Sequence, residues 1–156
     1  MNEKLIKLLA TFFGAGLLPL IEGTWGSLAG IIVYFLFLKG NSIIHLCFFL
    51  IITVVGFAVC APAERIFKKK DAGAIVIDEV AGISLSLLFI PPKPLYILIG
   101  FFLFRLYDTI KPPPTHSIEK LSGSYGIMGD DLIAGVYTNI SLHIIIFVLS
   151  FSGVLS

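Results

Sequence analysis

Charge is what this chain has least of. Only 13% of its 156 residues are Asp, Glu, Lys or Arg, where a soluble domain carries about 25%. The 11 basic and 10 acidic residues leave a net charge of +1. That balance lacks the basic footprint of a nucleic-acid binder, so no nucleic-acid partner is expected. Cysteine is nearly missing as well. Cys47 and Cys60 share one apolar segment with no His or Cys spaced beside them, so they read as small core residues rather than a disulfide or a metal pair. The three histidines form no spaced ligand set. His45 and His143 read as packed within apolar helices, and His116 falls in a polar loop. No Walker lysine loop occurs, so nucleotide binding has no support. The start "MNEKLIKLLATFFGAGLLPL" is charged and then apolar, but no A-x-A-like site follows it, and no cleavable signal peptide is expected.

What the chain does have is hydrocarbon. It is 57% apolar with a mean hydropathy of +1.00, the composition of an integral membrane protein. Length allows one domain over residues 1–156. The expected fold is all-α, a small polytopic membrane bundle with a short N-terminal helix. That first segment, Leu5 to Leu18, falls short of the roughly 20 residues a spanning helix needs, so it reads as interfacial or re-entrant. "GTWGSLAG" (Gly23 to Gly30) leads into "IIVYFLFL". From Gly40 to Ala63, about 24 positions, no charge occurs, which predicts a transmembrane helix. "ERIFKKKD" (Glu64 to Asp71) reads as an exposed basic loop. Two more apolar runs stop at Pro91-Pro92 and at Pro112-Pro113-Pro114, as proline cannot donate within a helix. The last helix is expected to start at Asp130 or Asp131 and reach about Leu155.

The cluster Arg65, Lys68, Lys69 and Lys70 belongs in the cytoplasm by the positive-inside rule. Alternating the helices from there brings Glu22, Asp78, Glu79, Arg105, Asp108, Lys111, Asp130 and Asp131 to the same side. The opposite side keeps only Lys39 and Lys93. This asymmetry predicts a polar site at the cytoplasmic membrane surface. "DEVAG" (Asp78 to Gly82) and "DDLIAG" (Asp130 to Gly135) echo one another, each an acidic pair before Ala-Gly, and "SLAG" resembles their tails. The small residues read as close-packing points between helices.

One acid per helix start is explained by capping, worth about 0.5–2 kcal/mol. A second is not, since a carboxylate in hydrocarbon costs at least about 2.5–3.5 kcal/mol. Asp78, Glu79, Asp108, Asp130 and Asp131 therefore read as a cluster that needs cations. Oxygen donors with so few histidines favour a hard ion such as Mg²⁺. In "FRLYDTIKPPP", Arg105 and Asp108 stand i, i+3 on one helix face. They either neutralise one another, or Asp108 holds metal while Arg105 or Lys111 grips a phosphate. "GTWGS" and "SGSYGIMG" flank helix starts, where backbone N–H groups bind anions or glycines permit tight packing.

Taken in order, "GTWGSLAG", "DEVAG", "FRLYDTIKPPP" and "GIMGDDLIAG" closely resemble the phosphatidylglycerophosphatase A family, over roughly Gly14 to Gly135. The resemblance implies a small bacterial inner-membrane protein, multi-pass with its site facing the cytoplasm. It implies a Mg²⁺-dependent enzyme that removes the terminal phosphate of phosphatidylglycerophosphate to give phosphatidylglycerol. Asp78, Glu79, Asp108, Asp130 and Asp131 match the family's acidic positions, as metal ligands and catalytic groups. Arg105 and Lys111 match its basic ones, as phosphate holders, with Thr24, Ser27 and backbone N–H groups in support. Glu22 stands where the family has a small residue or proline and is kept outside the core site. "SGSYGIMGDD" departs from the His-Gly-Gly-Met-Gly form, so no histidine role carries over to this loop. The D-x-D and Cys-x₅-Arg signatures of covalent phosphatases are missing, which favours attack by water. Membrane lipids are the expected surroundings, and nothing sets an oligomeric state. Two other classes compete. An ion-coupled carrier would place its acids near the midplane, and a CDP-alcohol phosphotransferase would carry a D-G-x₂-A-R pattern that this chain lacks.

Overall fold

Helix boundaries follow the chain's punctuation. The computed structural model describes residues 2–151, and no strand occurs among them. Helix α1 (Glu3–Ala10) starts at Asn2, whose side chain accepts the Lys4 N–H at 3.1 Å. Its eight residues rise about 12 Å, far less than a bilayer, and it ends well before Leu18. Ile6 and Ala10 are buried against α3 (Ser42–Phe67), while Leu5 and Leu8 face outward. The Ala10 carbonyl accepts the Val76 N–H at 2.9 Å, tying α1 to the strand-like approach of a later helix. A single 3₁₀ turn (Ala15–Leu17) leads to α2 (Glu22–Val33). The end of α2 widens into a π-helical stretch, Tyr34–Leu38, where the Lys39 N–H reaches the Tyr34 carbonyl at 2.8 Å.

Asn41 caps α3 by accepting the N–H groups of Ile43 and Ile44. Lys68 ends it with a left-handed φ of 53°. Then come α4 (Ile77–Ser86), α5 (Pro94–Ile110), the short α6 (Thr115–Ile118) and α7 (Ser124–Phe151). Proline at the first turn opens α5, and Lys111, at φ 52°, closes it before the triple proline.

α4 is the centre of the bundle. Its ten residues pack against α2, α3, α5 and α7, and nearly every one of its side chains is buried. At about 15 Å it reaches only half-way through a bilayer about 30 Å thick. The helix is shorter than the apolar run it begins, which continues to Pro91. The helix stops at Ser86 because Asn139 of α7 donates to the carbonyls of Leu85, Ser86 and Leu88, at 3.2, 3.2 and 2.8 Å. Glycines let the neighbours come close. A Cβ on Gly82 would sit 2.6 Å from Phe104 and 2.8 Å from the Asp131 carbonyl, and one on Gly135 would sit 2.7 Å from the Gly82 carbonyl. The two echoed Ala-Gly pairs thus meet where α4 crosses α7.

Two helices, α3 and α7, are long and apolar enough to cross a membrane, with 26 and 28 residues and mean hydropathies of 2.7 and 2.1 over their best windows. Their outer faces expose Leu50, Ile51, Val54, Ile144 and Phe147, a surface suited to lipid. Two residues expected in the core are not there: Cys47 and His143 are exposed on these helices, whereas Cys60 and His45 are buried. His45 is held by Ser84 of α4, Nε2 to Oγ 3.2 Å.

Candidate metal and phosphate site

Adjacent residues on a helix point about 100° apart, so an acidic pair need not act as one group. Asp78 and Glu79 occupy the first turn of α4, where the helix dipole favours negative charge. The Asp78 Oδ1 accepts the Glu79 N–H at 3.0 Å. Asp131 arrives from α7. The expectation that α7 begins at Asp130 or Asp131 is corrected: it begins at Ser124, so both aspartates lie two turns inside. "SGSYGIMG" joins the helix rather than forming a loop before the acids, because α6 and the segment after it pack onto it. Gly126 is pressed against the Leu121 carbonyl and Gly129 against Ile118, leaving no room for side chains. Neither aspartate is therefore an N-cap.

Asp78, Glu79 and Asp131 each present a carboxylate oxygen such that all three lie within 4.8 Å of one another. Asp78 and Asp131 are 4% exposed. Among the described residues no ion pair reaches any of the three, and Glu79 Oε2 and Asp131 Oδ1 are buried with no hydrogen-bond partner. Two like charges at this spacing repel by about 3–4 kcal/mol at an effective dielectric near 20. Buried, unpartnered and mutually repelling oxygens are what a divalent cation satisfies. Oxygen ligands of an octahedral Mg²⁺ lie about 3–4.2 Å apart, so the trio fits a hard ion with little adjustment.

The other predicted residues surround this trio in two ways. Arg105 Nη1 lies 3.1 Å from Asp108 Oδ2, both partly exposed near the end of α5. The pair is poorly aligned, and the same buried nitrogen makes no hydrogen bond. Both Arg105 and Glu79 press on Gly23: a Cβ there would sit 3.2 and 3.3 Å from the guanidinium nitrogens and would strike Glu79 Oε1. The guanidinium is thus at the mouth of the trio with donors to spare. Lys111 Nζ, in contrast, is occupied, 2.7 Å from Glu119 Oε1 and 3.1 Å from Asp130 Oδ2. Burial alone would lower the Lys111 ammonium, but the hydrogen bonds from Glu119 and Asp130 hold it above its ordinary value. The same contact holds Glu119 below the usual carboxylate range.

Asp108 and Asp130 therefore stand beside a cation each and fall outside the trio. Thr24 is half-buried next to Gly23. Ser27 is fully buried and donates to the Gly23 carbonyl at 3.0 Å, so its hydroxyl is spent inside α2. Glu22 lies against Gly73 and His116 is 72% exposed with only a 4.0 Å contact to Glu119; neither joins the trio. Three participants escaped the sequence reading. Gly23 and Glu119 carry no periodic signal. Asn139 did carry one, as a lone amide in an apolar run.

The sequence model of the family described as Phosphatidylglycerophosphatase A matches residues 8–146. A phosphatidylglycerophosphatase A from Haemophilus influenzae is 40% identical over 85% of this chain and 83% of its own length. One from Escherichia coli is 34% identical over 83% of this chain and 76% of its own. A putative phosphatidylinositol-3-phosphatase from Bacteroides thetaiotaomicron is 32% identical, covering 88% and 91%. No solved structure matches. With the match running from α1 into the second half of α7, across every residue of the carboxylate trio, the chain belongs to the phosphatidylglycerophosphatase A family.

Proposed function

We propose that this protein is a Mg²⁺-dependent lipid phosphatase that hydrolyses phosphatidylglycerophosphate to phosphatidylglycerol and phosphate at the cytoplasmic surface of the bacterial inner membrane. The observation that carries the reading is the buried trio Asp78, Glu79 and Asp131, with two carboxylate oxygens left unpartnered. Its support comes from the family and from relatives whose names all describe phosphate removal from a phospholipid. These three residues would hold the ion. A bound Mg²⁺ supplies charge neutralisation of the phosphate and of the leaving oxygen.

The chain's own groups do the rest. Arg105 has unused donors at the mouth of the trio, and its planar fork matches two phosphate oxygens. Asp108, 3.1 Å from that fork, stands beside it outside the trio. Lys111 and Asp130 form the second wall, with the lysine free to shift from Glu119 toward phosphate. Thr24 lines the α2 side, and Ser27 keeps its first turn rigid. In the reaction water adds to phosphorus, the bond from phosphorus to the glycerol oxygen breaks, and a proton goes to that oxygen. The apolar outer faces of α3 and α7 leave the acyl chains in the bilayer while the headgroup enters from the side. The carrier reading has less support because the family and the named relatives are phosphatases.

The test is phosphate release from phosphatidylglycerophosphate in detergent micelles, with Mg²⁺ or EDTA, for wild type and Asp131→Asn. Release that needs Mg²⁺ and is lost in the folded variant is expected. No release under any divalent ion would overturn the reading and return the carrier to first place.

A further inference from the structure

The four cations that set the predicted orientation are placed for more than orientation. Arg65, Lys68, Lys69 and Lys70 are exposed, and among the described residues none is in an ion pair. Of the two acids that flank them in sequence, Glu64 and Asp71, Glu64 accepts the Asp71 N–H at 2.8 Å. Arg65, with Glu64 beside it, lines an open groove of about 820 Å³ between α3 and the start of α7. Phe57 and Tyr125 form its apolar walls, their rings 5.6 Å apart, and Tyr125 is 69% exposed. Its inner corner is built by close contact: the Ala61 N–H donates to Ser124 Oγ at 2.9 Å, and Gly123, at φ 66°, lies against the Ala61 methyl.

The groove is continuous in two directions. Outward, a shallower depression of about 340 Å³ under Arg65 and the three lysines shares Glu64, Ser122 and Gly123 with it. Inward, a cavity of about 210 Å³ shares Glu64 and Gly123 and is lined by four acids, Glu64, Asp71, Glu119 and Asp130, with Lys70, so the anionic headgroup is held at the outer depression. An aromatic-walled cleft on a lipid-facing helix pair, with Arg65 in its lining and Lys68, Lys69 and Lys70 in the adjoining depression, is complementary to one class of molecule: a phospholipid with an anionic headgroup. Each basic residue near a membrane surface contributes attraction for such lipids, and the aromatic walls accept acyl chain.

We propose that the groove between α3 and the start of α7 is a docking surface for an anionic phospholipid.

The docking is measured without the enzyme reaction. A tryptophan reporter placed by Tyr125→Trp in a Trp25→Phe background is reconstituted in vesicles containing brominated phosphatidylglycerol or brominated phosphatidylcholine. Half-quenching by the anionic lipid is expected at a mole fraction at least about fivefold lower than for the zwitterionic one. Arg65→Gln/Lys68→Gln/Lys69→Gln/Lys70→Gln should abolish that preference, and all four side chains are exposed, so the fold is spared. A second reporter, Phe147→Trp, on the outer face of α7, should show no preference. Equal quenching by both lipids at position 125, or the same preference at 147, overturns the proposal. Phosphate release by wild type is scored separately. Release without preference defeats the docking surface alone; preference without release defeats the phosphatase reading alone.

Discussion

The two acidic pairs are alike in sequence and opposite in use. Asp78 and Glu79 share the first turn of α4, and each presents an oxygen within 4.8 Å of one from Asp131 of α7. Asp130 and Asp131 part company: Asp131 faces α4 and completes the trio, while Asp130 faces Lys111 across a hydrogen bond. The difference shows that an acidic doublet on a helix is two addresses, and that neighbouring helices decide which is occupied.

The largest effect should come from breaking the shared address. Asp78→Asn and Asp131→Asn should each lower phosphate release by more than about 100-fold, beyond the 10–100-fold typical of partners outside the ligand shell, with circular dichroism unchanged. If Asp130→Asn matches that loss, the two addresses are not distinct. Next is the joint that brings α4 and α7 together. Asn139→Leu removes the amide donor from the Ser86 and Leu88 carbonyls, while the Leu85 carbonyl keeps the Leu88 N–H, and should cost about 1–3 kcal/mol, read as a lower melting temperature in detergent. Asp130→Asn should reduce release only about 10-fold, in the range seen when a positioning partner is removed. It keeps the contact with Lys111 while removing the charge.

The smallest effect concerns the outer wall. Glu119 is held below its ordinary range by Lys111, so Lys111→Met should return it upward, seen by NMR titration of the Glu119 carboxyl. The sign follows from the depressed value. The stabilisation is full above the unfolded carboxylate range and is lost as pH falls through the lowered one. Glu119 is 39% exposed, so solvent screening keeps the effect on stability small.

Much of this was legible in the residues. The long uncharged run around α3, the proline stops of α5, and the grouping of acids were all readable because hydropathy and proline act locally. The start of α7 was not, because Gly126 and Gly129 argue against a helix on their own. Only the packing of Leu121 and Ile118 onto them makes helix the better choice. The half-length of α4 was equally hidden: "ISLSLLFI" stays apolar past Ser86, and the helix ends there because an amide 53 residues away in sequence takes its carbonyls. Ser27, a hydroxyl in the "GTWGS" motif, donates to its own helix, which its sequence position does not reveal.

By itself, then, the sequence determined that the chain is helical, apolar enough for a membrane, and furnished with carboxylates and cations in the order of its family. Those properties depend on composition and on spacing within one element. Which carboxylates meet, which cation each acid faces and where the groove opens were decided by the tertiary structure. They depend on the angle and depth at which α4 meets α7, and that crossing is set by contacts between residues far apart in the chain: Gly82 against Gly135, and Asn139 against the end of α4.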